Sequence, residues 1–149
     1  MRKLFVCVVA ISLLAGCATG YQPKGFKGGF TETQLAPDSW RVSFGGNAFT
    51  SPEAAVDYTL LRCAELTLQG GYTHFVVISG ENRRNVSTST TPMYANTVGN
   101  RTTITGGDTV SISKPTTTNV IVMLNGSPAG TRAFDAAFLT ASLKKKYGL

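Results

Sequence analysis

Trp40, Val42 and Phe44 alternate with Arg41 and Ser43, the period-two pattern of a half-buried strand. Gly45-Gly46-Asn47 ends it. Ser51-Pro52-Glu53 then supplies a capping hydroxyl, a proline for the first turn and an early acid, which predicts a helix to about Gln69, stopped by Gly70-Gly71. At about 100° per residue, Val56, Leu60, Leu61, Ala64 and Leu68 share one face, with Tyr58 at its edge. Thr59 and Arg62 fall opposite, Glu65 flanks the stripe, and Asp57 lies near the middle of the apolar face.

Residues 74–79, His-Phe-Val-Val-Ile-Ser, are nearly continuously apolar after the starting histidine, as in a strand buried on both faces or central in a sheet. Strand, helix and strand with short connections predict a β-α-β unit. From residue 80 the pattern changes. Fifteen of the thirty-two positions from 87 to 118 are Ser or Thr, which leaves a mobile loop or an extended hairpin arm as readings of the insertion at about 82–118. Inside it, Gly106-Gly107-Asp108 is the expected hairpin turn between residues 102–104 and 109–113. Residues 120–124 predict a third core strand, closed by Asn125-Gly126, and residues 131–147 a last helix with Phe134, Ala137, Phe138 and Ala141 on one face.

The order is β-α-β, insertion, β, α. It predicts one α+β domain over residues 37–149, a three- to four-stranded sheet with two helices in a two-layer sandwich. Ahead of it, residues 18–36 are broken by Gly20, Pro23, Gly25, Gly28 and Gly29 and read as a tether after Cys17. Their second half reads equally as an edge strand docked on the sheet.

At the start, Arg2 and Lys3 precede an apolar run over residues 4–14, then Ala15-Gly16-Cys17. The run is shorter than the roughly 20 residues of a spanning helix. A secretory signal cut after Gly16, a short retained anchor and a lipidation signal all begin this way. The spacing of basic head, apolar run and cysteine favours the last. Leu14-Ala15-Gly16-Cys17 resembles the lipobox of bacterial lipoproteins, and the resemblance implies removal of residues 1–16 and acyl chains (palmitate among them) on Cys17. Two or three chains give lasting attachment, since each buried CH₂ adds about 0.8 kcal/mol. Ala18, in place of the aspartate that commonly retains such proteins at the inner membrane, implies an outer-membrane, periplasm-facing protein in a Gram-negative host.

Without residues 1–16, twelve Lys and Arg face eight Asp and Glu. Lys144, Lys145 and Lys146 suit the end of a helix, and the other basic residues are scattered, so a nucleic-acid partner is not expected. With Cys17 acylated and Cys7 in the leader, Cys63 has no partner for an intramolecular disulfide and reads as a buried small hydrophobe. One histidine and no paired ligand spacing argue against metal, and no cofactor is expected. Gly45-Gly46-Asn47 lacks the further glycines and lysine of a phosphate loop and reads as a plain turn.

A wider resemblance rests on Gly29-Phe30-Thr31-Glu32-Thr33-Gln34-Leu35, Trp40-Arg41-Val42-Ser43-Phe44, Asp57-Tyr58-Thr59-Leu60-Leu61-Arg62-Cys63-Ala64-Glu65-Leu66 and Gly71-Tyr72-Thr73-His74-Phe75. Together these are similar to a family of small proteobacterial lipoproteins of unassigned activity, well over residues 17–80 and loosely over the last strand and helix. The position of Cys63 is often small in that family, and no catalytic role comes with it.

The function expected is a non-enzymatic envelope lipoprotein, structural or sensory. It is anchored in the membrane through Cys17 and touches envelope proteins through the Ser/Thr-rich insertion. The alternative is a binder of small ligands or cell-wall fragments in a groove near Arg41, Asp57 and His74, with Arg62 and Glu65 as further ligand-binding candidates. A third reading, a hydrolase, needs Asp57, Glu65 and His74 in one polar pocket.

Overall fold

The structure is a computed structural model that describes residues 18–149; the leader and Cys17 lie outside the described residues. Strands β1 (Gly29–Ala36) and β2 (Ser39–Gly45) form a hairpin and lead into helix α1 (Pro52–Gln69). The chain continues through β3 (His74–Thr90), β4 (Tyr94–Val98), β5 (Arg101–Thr105), β6 (Thr109–Leu124), β7 (Phe134–Asp135) and α2 (Ala136–Tyr147). The main sheet has the order β1-β2-β6-β3-β7, with every neighbouring pair antiparallel. The class is α+β. The sheet has five strands rather than three or four, because residues 29–36 pair as an edge strand and two residues before α2 add another.

β2 and β3 do run parallel on either side of α1, as a β-α-β unit requires, but β6 lies between them and pairs with both. One sheet face carries Val42, Phe44, Phe75, Ile121 and Met123, and α1 covers it with Cys63, Ala64 and Leu66. A fully buried Phe, Ile or Leu contributes about 1.5–3 kcal/mol, so this layer carries the fold. On the other face, Val76, Val120, Val122 and Leu124 are only half-buried. The apolar run of β3 is therefore covered on one side among the described residues, not on both.

α1 begins and ends where its caps direct. The Ser51 hydroxyl accepts from the Ala54 N–H at 3.0 Å, and Gly70 closes the helix on Leu66 O. Its buried face is rotated from the expected one. Thr59 and Thr67 are fully buried, while Leu68 is exposed. Each buried hydroxyl donates to a carbonyl one turn back, Thr59 to Ala55 O at 2.7 Å and Thr67 to Cys63 O at 2.8 Å, which removes the cost of burying it.

α2 starts at Ala136 rather than near Thr131. Asp135 caps it by accepting from the Phe138 N–H at 2.9 Å. Phe134 lies in β7, its ring stacked on Phe75 at 5.2 Å, and Phe138 is exposed. Ala136, Leu143 and the partly buried Leu139 are inward instead.

Residues 18–28 are not a free tether either. They fold back so that Phe30 N–H donates to Gln22 O and Lys24 N–H to Phe30 O, both at 2.9 Å. Gly28 makes the turn possible: its φ is +103°, and a Cβ there would sit 2.3 Å from Gly45 O.

The insertion is a two-stage arm. β3 and β6 run on past the sheet as an antiparallel ladder to Thr90↔Thr109, and β4 and β5 form a separate hairpin at the tip. The turn expected at Gly106-Gly107-Asp108 is thus the joint between the two stages. Residues 109–113 pair with 86–90 and not with 102–104, which pair with 95–97. Gly106, at φ +96°, passes so close to Pro92 O that no side chain would fit.

Candidate functional site

Three places are able to engage something outside the chain: the charged outer surface of α1, a basic cleft at one end of the sheet, and the arm.

On α1, the Arg62 guanidinium forks onto Glu32 of β1, with Nη2 donating to Oε1 at 2.8 Å, and lies 4.8 Å over the Phe30 ring. Glu65 accepts from Tyr21 at 2.5 Å, from Arg62 at 3.2 Å and from Lys144 of α2 at 2.9 Å. Burial alone would raise its carboxyl, but these three donors together hold it below the usual range. About two turns before Glu65, Asp57 accepts from Lys146 Nζ at 2.7 Å and from the Tyr147 hydroxyl at 2.8 Å. The Asp57 and Glu53 carboxylates raise the pKa of the exposed Lys146 ammonium. Beneath the charges, aromatic rings touch in series: Phe30 to Tyr21 at 5.0 Å, Tyr21 to Tyr58 at 5.7 Å and Tyr58 to Tyr147 at 4.7 Å. The assembly fastens residues 18–36 and α2 onto α1. Every carboxylate in it already holds a cation or a hydroxyl.

The residues singled out from sequence are divided by the sheet. Asp57, Arg62 and Glu65 lie on α1. Arg41 is exposed on the opposite face of β2, across from Val120. His74 pairs with Leu124 at the start of β3, its Nδ1 2.8 Å from the Thr73 hydroxyl. None of the five lines either of two clefts, one at the base of the arm and one beside the start of α1. Among the described residues no three His, Cys, Asp or Glu side chains group as metal ligands. Cys63 is fully buried, and burial pushes its thiol up to about 12.

Tyr21, Glu32, Lys144 and Tyr147 belong to the α1 assembly and were missed. Only Glu32 left a trace, sharing the period-two phase of Phe30 and thus the helix-covered face.

The larger cleft has a volume of about 550 Å³ and lies between the glycine turn at residues 24–29, the end of β2 and the base of the arm. Lys24, Lys27 and Lys114 line it with no Asp or Glu, and none of the three is ion-paired among the described residues. Gly46 and Asn47 do not present free N–H groups to it. Gly46 donates to Pro115 O at 2.9 Å, and Asn47 donates to the hydroxyls of Thr19 and Thr50.

No protein-family model, curated protein or solved structure matches the chain.

The arm is the remaining surface. β2 pairs with β6 no farther than Gly45↔Thr116, and β7 pairs only with His74 and Phe75. Beyond that, six β3–β6 rungs from Asn85↔Lys114 to Thr90↔Thr109 have open edges on both sides. That is roughly 20 Å of ladder at about 3.4 Å per residue.

Proposed function

We propose that the chain is a lipoprotein, acylated on Cys17 and held at the outer membrane facing the periplasm, that works by contact and not by catalysis. Its arm receives a strand or extended segment from an envelope protein. The observation that carries this is the pair of open edges on β3 and β6. Exposed edges usually bear charges that deter pairing, yet of the twelve residues in these six rungs only Lys114, at the base, is charged. Their Ser and Thr side chains add hydroxyls beside the unpaired backbone, which suits recognition by strand addition.

The test is to excise residues 86–113 and join Asn85 to Lys114 through an Asn-Gly turn, the two-residue connection that best fits a hairpin. In vivo crosslinking from Ser89 or Val110 should capture a discrete envelope protein. A crosslinker at exposed Arg84, at the base of the arm and kept on excision, should capture it in the intact chain and lose it in the excised protein. Capture of the same partner without the arm would refute the reading. Radiolabelled palmitate should enter the chain and fail to enter the Cys17→Ser variant.

A further inference from the structure

We propose that the end of the domain built by Lys24, Phe26, Lys27, Phe49 and Lys114 seats directly on the anionic phospholipid headgroups of the bilayer that holds Cys17. The inference rests on the acylation of Cys17 proposed above.

The described chain begins beside this surface and is pinned there. Thr19 is 2% exposed. Its N–H donates to Thr50 Oγ1 at 3.0 Å, its hydroxyl donates to Lys27 O at 2.5 Å, and the same hydroxyl accepts from Asn47 N–H at 3.0 Å. Two residues span at most about 7 Å, so an acylated Cys17 lies within that distance of Thr19. No slack remains to hold the domain away from the lipid.

The surroundings of that point suit a headgroup layer. Phe26, in the turn that includes Lys27, is 108% exposed, and Phe49, next to Thr50, is 71% exposed. Two phenyl rings in solvent are unfavourable in water and favourable at the acyl boundary. Lys24 and Lys27 flank Phe26, and Lys114 faces them across the cleft, with no carboxylate in its lining. Basic residues held against an anionic surface each strengthen attachment about fivefold. Apolar contacts ringed by cations, at the point where the anchor leaves, match a bilayer better than a protein of balanced charge.

The test uses the full-length lipidated protein in phosphatidylethanolamine vesicles with or without phosphatidylglycerol. A nitroxide is placed by Phe26→Cys, Phe49→Cys or, as a control, Phe138→Cys. Phe138 is exposed at the start of α2, near Thr73 and away from Asn47 and Thr50. Cys63 is buried and takes no label. Flotation with the vesicles reports the anchor. Relaxation by a water-soluble nickel chelate reports whether each label faces water.

Labels at 26 and 49 should lose nickel accessibility relative to 138, and more so with phosphatidylglycerol. Replacing Lys24, Lys27 and Lys114 by Gln should reduce the ratio of docked to undocked protein by about fivefold per lysine. Protein that floats with both labels as aqueous as position 138 overturns this proposal alone. Protein that fails to float overturns the acylation of Cys17 and the proposal with it.

Discussion

The Tyr21 hydroxyl donates to Glu65 Oε2 at 2.5 Å across forty-four positions of sequence. This one bond closes the segment after Cys17 onto the middle of α1, where Arg62 and Lys144 hold the same carboxylate.

Tyr21→Phe keeps the ring contacts and removes the hydrogen bond. A bond to a charged acceptor is worth about 1.5–3 kcal/mol when buried, and partial exposure reduces that to about 1–2 kcal/mol. Urea titration should show the loss, and amide exchange over residues 18–28 should quicken more than in α1. The Glu65 carboxyl is depressed in the folded chain, so it stabilises above its unfolded pKa and this contribution is lost as pH falls through the folded value. Without the Tyr21 donor that value rises, and acid unfolding should begin at a higher pH. Unchanged acid unfolding would show that Arg62 and Lys144 alone set the Glu65 charge.

Alkaline pH should reduce the stability of the domain in two stages. Burial pushes the Cys63 thiol from 9.0 up to about 12. Burial and then the Asp57 hydrogen bond push Tyr147 from 10.0 up to about 12. Burial first, and Glu65 second, raises Tyr21 as well. In each case the folded state holds its proton more tightly than the unfolded one. The stabilisation is whole below the unfolded pKa and is lost as pH rises through the folded value. Stability, read from denaturation followed by circular dichroism, should fall from about pH 9, where only Cys63 contributes, and more steeply from about pH 10. Cys63→Ala should cost about 1 kcal/mol at neutral pH and abolish the first stage. A first stage surviving in Cys63→Ala would assign it to another group.

Gly28 and Gly45 face one another but differ in tolerance. Gly28→Ala combines a φ of +103° with a Cβ 2.3 Å from Gly45 O, and should cost about 2–3 kcal/mol through strain and displacement of the turn. Gly45→Ala meets nothing within 4 Å and should change stability by no more than about 0.5 kcal/mol. Thermal melts of the two variants provide the comparison, and equal melting points would contradict the turn geometry.

Excision of residues 86–113 should leave the domain folded, because every rung removed lies beyond the last pairing of β2 with β6. Cutting further, through residue 117, should unfold it: Thr117 is 3% exposed and pairs with the fully buried Phe44. Near-ultraviolet dichroism, which reports fixed aromatic packing, separates the two results.

These boundaries show which features could be read in advance. The limits of α1 were legible because Ser51, Pro52 and Gly70 act locally. The buried face of that helix was not, since Thr59 and Thr67 become apolar in effect only after their hydroxyls bond back to the helix. The strand over residues 40–44 was legible in its alternation. The partner of residues 86–90 was not, because Val110 and Ile112 sit opposite Ser89 and Ser87 and the two strands share no apolar face to fix register. At the candidate sites, Asp57, Arg62 and Glu65 were visible as charges on one helix. Their partners Tyr21, Glu32, Lys144 and Tyr147 come from segments far apart in sequence, joined by no local signal. Arg41 and His74 seemed close to them only because the path of the sheet between was unknown.

Thr19 and the arm share an end of the molecule. Gly46 donates to Pro115 at the base of the arm, and Asn47 beside it donates to Thr19. On the proposal that Cys17 is acylated, the root of the arm lies at the level of the lipid, so its search for a partner starts from the membrane plane. There, two dilute lipid-borne proteins meet at an effective concentration far above their average in the compartment. Modest strand pairing then suffices, and the partner to seek is one that presents its own extended segment at the same height.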